Sequence, residues 1–266
     1  MKPFMLALVA VALLAPVAAL AGTPSTTRAQ QDCTKLRAAM GAAAFKQAYP
    51  TFGSCVSAYA PVENDVQASA QDTCTAQQSD PTFPATHDGK TFVQYYGTGN
   101  GKNAFGKCVS RIASANAKVE QDGRVNPAQT CRSIRTRLGK SLFAETYGKN
   151  ANDRNAFGKC VSATAGSQVQ NEVSASSSCR SQQSDPSFAA NHGGKTFEQY
   201  YGTNADGSNA FGQCVSSTAQ AASHAQSDAV VNAARACQSE QRADPAGFRS
   251  KYQNFGQCVS EKESSD

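Results

Sequence analysis

Ten cysteines are the residues of this chain best equipped for chemistry, and their spacing decides which chemistry is open to them. Zinc sites present close ligand pairs of the C-x-x-C kind. The nearest cysteines here, Cys55 and Cys74 or Cys160 and Cys179, are 19 residues apart, and there are only three histidines. Disulfides are therefore expected over metal ligation. His87 and His192 each precede a Gly-Lys-Thr-Phe stretch (Gly89 to Phe92, Gly194 to Phe197). A histidine placed so could be a pH-sensitive contact or a ligand-binding group. It could equally be a turn residue ahead of a short helix, since neither brings a nucleophile or carboxylate at a recognisable spacing. The Gly-Lys-Thr runs end like a phosphate loop but lack its upstream glycine. Neither a Gly-x-Ser-x-Gly elbow nor a His-Glu-x-x-His pair occurs. No catalytic, cofactor or metal residues are assigned.

One basic cluster stands out. Arg132, Arg135, Arg137 and Lys140 surround Ile134, Leu138 and Leu142. It could dock an anionic wall polymer, nucleic acid or acidic lipid, or form the solvated face of an amphipathic helix. A net charge of +5 and the lack of interleaved aromatics speak against nucleic acid. These four residues, with His87 and His192, are the candidate binding residues.

The elements that position these groups are set by repetition. Phe-Gly-x-Cys-Val-Ser occurs five times, beginning at Phe52, Phe105, Phe157, Phe211 and Phe255. Each copy follows a Phe-x-x-x-Tyr pair and, before that, one further cysteine. Ser79 to Phe92 matches Ser184 to Phe197, so a two-unit module has been copied, with a shorter fifth unit after it. The expected units are 33–67, 68–123, 124–172, 173–230 and 231–266, after a disordered segment at 22–32.

The periodicity is helical. Cys131, Ile134, Leu138 and Leu142 recur at three- and four-residue steps, as do Cys33, Leu36, Met40 and Ala44, which predicts one helix face for each set. Asn103, Asn155 and Asn209 are expected to cap the helices that follow them, and Asp122-Gly123 with Asn126-Pro127 to break the chain between units. Cys160 and Cys179 lie on one predicted helix, about 28 Å apart at ~1.5 Å rise per residue, far beyond the ~7 Å Cα separation that a disulfide tolerates. Each partner must lie across a turn in the same unit, which gives Cys33–Cys55, Cys74–Cys108, Cys131–Cys160, Cys179–Cys214 and Cys237–Cys258. The fold class that follows is all-α, a tandem array of five disulfide-closed helical hairpins.

Composition fits that picture. From Gly22 onward the only leucines are Leu36, Leu138 and Leu142, and the only isoleucines Ile112 and Ile134. So few large aliphatics argue against a broad enzyme core and for small stapled units. Residues 1–21 read as a signal peptide: Lys2, an apolar run from Phe4 to Leu20, and Ala19-Leu20-Ala21 at the cut. The run is short for a membrane anchor, and export leads to a compartment in which disulfides persist.

The Asn-Ala-Phe-Gly-Lys-Cys-Val-Ser form (Asn103 to Ser110, Asn155 to Ser162) resembles a motif of secreted actinobacterial proteins to which no activity is assigned. The resemblance covers most of residues 33–260 and implies no functional residues. The sequence thus points to a secreted, non-catalytic repeat protein, extracellular or envelope-associated, acting through inter-helix loops on a cell-wall polymer or another secreted protein. A hydrolase with a site between hairpins and a cationic toxin or inhibitor array are the alternatives.

Overall fold

A computed structural model describes residues 24–148 and 155–264. Residues 1–21, expected from the sequence to be a signal peptide, and residues 149–154 lie outside the described residues. All regular structure among those residues is helical, and the five expected disulfides are present.

In unit one, α1 (Pro24–Met40) leads into α2 (Ala42–Ala48) and is bridged to α3 (Phe52–Ser79). α3 runs on into unit two, where α4 (Phe83–Thr86) and α5 (Phe92–Tyr96) precede α6 (Ala104–Gly123). The pattern recurs with α7 (Pro127–Tyr147), α8 (Ala156–Gln183), α9 (Phe188–Asn191), α10 (Phe197–Tyr201) and α11 (Ala210–Ala243). Unit five adds α12 (Pro245–Lys251) and α13 (Phe255–Glu263). The four long helices close a ring: α3 packs on α6, α6 on α11, α11 on α8, and α8 on α3.

This ring changes how the core is organised. Instead of one small core per unit, units one and three share a cluster built round Cys33, Tyr59, Ile134, Cys160 and Val161. Units two and four share another, round Cys74, Phe83, Ile112, Cys179 and Phe211. Unit five draws Leu142 of unit three into a third. Units distant in sequence complete one another, so a chain poor in leucine still encloses large aromatics.

Three local expectations are corrected. The segment 22–32 is not disordered over its described part: Pro24 onward is helix, with Ala29 and Asp32 fully buried and Arg28 paired to Glu63. The two long apolar stripes do not each occupy one helix face. Gly41 (φ 83°) separates α1 from α2, and Gly139 (φ 76°) kinks α7 at the matching place, a left-handed backbone that glycine takes without a Cβ clash. The kink sends Leu142 to unit five while Ile134 stays with unit one. Finally, Asn103 and Asn209 do not cap with their side chains. Asn103 accepts from the Thr98 amide (3.0 Å) and donates to its hydroxyl (2.7 Å), and Asn209 does the same with Thr203. They close the preceding loop, whereas Thr51, Thr91, Thr196 and Asn254 do accept from the first free amides of their helices.

Candidate functional site

The sequence-predicted binding residues are scattered. His87 stacks on Phe83 (centroids 3.6 Å apart, 8° between planes), and its Nδ1 lies 2.9 Å from the Phe83 carbonyl. His192 repeats this on Phe188. Both serve as half-buried plugs of a turn, about as an inherited structural residue would. Arg132, Arg135 and Lys140 are exposed on α7, Lys140 beyond the kink. Arg137 pairs with Asp228 of α11 at 2.7 Å, so the four do not form one free patch.

Two other features dominate the interior, and both lie along the ring of long helices. The first is a buried charge cluster. Arg124, in the turn after α6, donates from Nε to Glu172 of α8 (2.9 Å) and from Nη2 to Glu120 of α6. Its Nη1 lies 3.6 Å from Oδ2 of Asp32, and its guanidinium stacks 4.1 Å from the centre of the buried Tyr59 ring. Arg28 of α1 donates to Glu63 of α3 (2.7 Å) and to Gln67 (2.9 Å). Gln121 donates to Asp32, and Gln168 to Glu172 at 3.1 Å.

Burial pushes the Glu120 carboxyl well above its ordinary range, with Arg124 opposing. Glu172 is raised for the same reason. Glu63 is pushed up to about 8 by burial and by the neighbouring Asp32, against Arg28. Burial alone would lower the Arg124 guanidinium, but Glu172 and Glu120 hold it well above its usual value.

The second feature is a cleft of about 1120 Å³ between α7, α8, α11 and α13. Its wall includes Thr130, Thr164, Gln168, Ser223, Gln226 and Val230, with Ile134, Tyr147 and Val259 supplying apolar surface. Burial pushes the Tyr147 phenol up, and raises Glu263 at the rim, where a hydrogen bond with Gln226 opposes it.

The two features correspond position by position. Counted from the cysteine before each, Tyr59, Glu63, Glu120 and Arg124 match Thr164, Gln168, Gln226 and Val230, and Asp32 matches Thr130. The first set packs the charged interior, while all five matching residues face the cleft. Shorter or neutral side chains at these positions open in the second module the space that a tyrosine, an arginine and three carboxylates fill in the first. Gln168 has a foot in both, since it also holds Glu172.

Sequence inspection missed both features. A signal was present: Glu63 falls among Tyr59, Val62 and Val66 on the stripe linking Cys55 to Cys74, where a solvated glutamate has no place. No family model, curated protein or solved structure matches this chain.

Proposed function

We infer that the protein is an exported, non-catalytic binding protein that takes a neutral, hydroxyl- and amide-bearing glycan of a wall polymer into the cleft between α7, α8, α11 and α13. The observation that carries this reading is the exchange just described, in which side chains that fill the first module are replaced in the second by Thr, Gln and Val around an open space. A cavity of this size suits a ligand of two or three sugar rings. Its many hydroxyl and amide groups pair with those of a neutral glycan, and Ile134, Tyr147 and Val259 offer apolar contact to ring faces. Glycosidic hydrolysis ordinarily needs two carboxyls, and the described lining brings one, Glu263, with Lys159 as the other charged group. That favours binding over cleavage. The disulfides support an oxidising compartment, and no helix among the described residues is long and apolar enough to cross a membrane. Relative to the sequence reading, the contact surface moves from the variable loops to this cleft.

The test is calorimetric titration of the disulfide-bonded protein with N-acetylglucosamine oligomers, alongside Thr164→Tyr, which restores the first module's residue. Binding to the native protein that is lost in Thr164→Tyr supports the reading. No heat with the native protein, or equal heat with both, overturns it.

A further inference from the structure

The charge cluster holds more negative than positive charge. Arg28 and Arg124 face Asp32, Glu63, Glu120 and Glu172, two guanidiniums against four carboxylates, all inside the protein. Buried ions left unbalanced are costly, so this interior calls for two further positive charges.

The arrangement of oxygens shows where they belong. Asp32, Glu63 and Glu120 each offer one carboxylate oxygen such that the three lie within 4.8 Å of one another. The three come from different elements, α1, α3 and α6, and all are at most 2% exposed. Each commits one oxygen to a donor: Asp32 Oδ1 to Gln121, Glu63 Oε2 to Arg28, Glu120 Oε1 to Arg124. Each keeps its other oxygen (Asp32 Oδ2, Glu63 Oε1, Glu120 Oε2) buried and without a hydrogen-bond donor, Asp32 Oδ2 having only the Arg124 guanidinium at 3.6 Å. A buried acceptor without a donor is costly, the more so when charged. Three such carboxyls gathered from separate elements, each with an unpartnered oxygen, create a demand for a ligand.

We propose that Asp32, Glu63 and Glu120 bind a hard divalent cation of the Ca2+ class. The donors are all oxygen, which suits Ca2+, Mg2+ or Mn2+ and disfavours thiophilic metals. Mg2+ keeps several waters at near-octahedral geometry. A site made of carboxylates alone favours Ca2+, which accepts flexible, bidentate carboxylate coordination. Two positive charges on one ion match the two-charge deficit, and the ion would tie α1 to the α3–α6 pair beside Arg124. The second module cannot do the same, because Thr130, Gln168 and Gln226 stand at the matching places.

The experiment uses the full disulfide-bonded chain at pH 7.5, stripped with EDTA and exchanged into metal-free buffer. Three readings are taken: Ca2+ and Mg2+ calorimetry, Tb3+ luminescence excited through the buried Tyr59 ring, and the thermal midpoint. Ca2+ is expected to bind one to one and, at a hundredfold excess over Kd, to raise the midpoint by roughly 5–10 °C. Glu63→Gln and Glu120→Gln should each lose Ca2+ and Tb3+ binding while keeping native circular dichroism. Asp228→Asn, at an exposed carboxylate of α11, should still bind the ion. The proposal is overturned if native protein binds neither Ca2+ nor Tb3+, or if Glu63→Gln binds and is stabilised as the native protein is. In that event the two missing charges are protons shared among the carboxyls.

Discussion

Tyr59 and Thr164 each stand four residues beyond a bridged cysteine, yet one lies fully buried under the Arg124 guanidinium and the other lines an open cleft. The first module spends its interior on a charge network that locks four elements together, and the second leaves the corresponding space free.

Arg124 is the centre of that network, so its loss should be felt more than that of any surface arginine. Arg124→Met keeps the bulk but leaves Asp32, Glu120 and Glu172 without their shared cation. Removing one partner of a buried ion pair costs about 3–5 kcal/mol, a fall of roughly 10 °C in thermal midpoint for a chain of this size. Arg135→Met, on the exposed face of α7, should change the midpoint by less than about 2 °C. Differential scanning calorimetry of the two variants decides it.

The network also sets a pH dependence for chelator-treated protein. Glu63 faces Asp32 and Arg28, and its carboxyl is raised from 4.5 to about 8. A raised carboxyl pKa means that the folded protein holds a proton which the unfolded chain has released. Stability from this group is therefore complete below about pH 4.5 and lost as pH rises through about 8. Glu120 and Glu172 act in the same direction. Glu240, lowered by hydrogen bonds from Lys262 and Lys251, acts the opposite way, below its ordinary value of 4.5, and so does not mask the trend at higher pH. In EDTA the midpoint should fall between pH 5.5 and 8.5, and Glu63→Gln should flatten that slope. An unchanged slope would contradict the assignment.

Much of this was legible in the sequence for a physical reason: local rules govern it. Helix rise excludes Cys160–Cys179 as a bridge, so the pairing within each unit follows from spacing alone. The Asp122 to Pro127 break is likewise local, with Asn126 accepting from the Ala128 amide at 2.9 Å. What spacing cannot show is which units meet. The association of units one and three, and of two and four, depends on how long helices cross, and the cleft and the carboxylate cluster exist only through that crossing. Asp32, one residue before Cys33, reads as an ordinary polar neighbour until α6 is brought against it.

The crossing of α6 and α11 explains one glycine of the repeated signature. A Cβ on Gly212 would sit 2.3 Å from the Asn116 carbonyl oxygen, and the Gly212 amide donates to the Asn116 side chain at 2.9 Å. Gly166, exposed in the middle of α8, meets nothing within 4 Å. Gly166→Ala should therefore stabilise by about 0.5–1 kcal/mol through helix propensity. Gly212→Ala should destabilise by about 1–3 kcal/mol, since backbone must move to admit the methyl. Urea unfolding of the two variants gives the opposite signs expected.

Shared cores make a last prediction about cooperativity. Each bridge closes a loop worth about 3–4 kcal/mol in the chain-entropy model, which would suffice for independent hairpins if each held its own core. It does not: Ile134, Val161 and Ala165 of unit three bury themselves against Tyr49, Cys55 and Tyr59 of unit one. A fragment spanning 124–172, oxidised to Cys131–Cys160, should thus be helical in part but show no cooperative thermal transition and no near-ultraviolet signal from a fixed Tyr147. The whole chain should lose tertiary signal in units one and three together. Removing Cys33–Cys55 by paired alanine substitution should then raise amide exchange in α7 and α8 as well as in α1. Exchange confined to unit one would mean that the units stand alone, and that the ring of long helices is a contact rather than a common core.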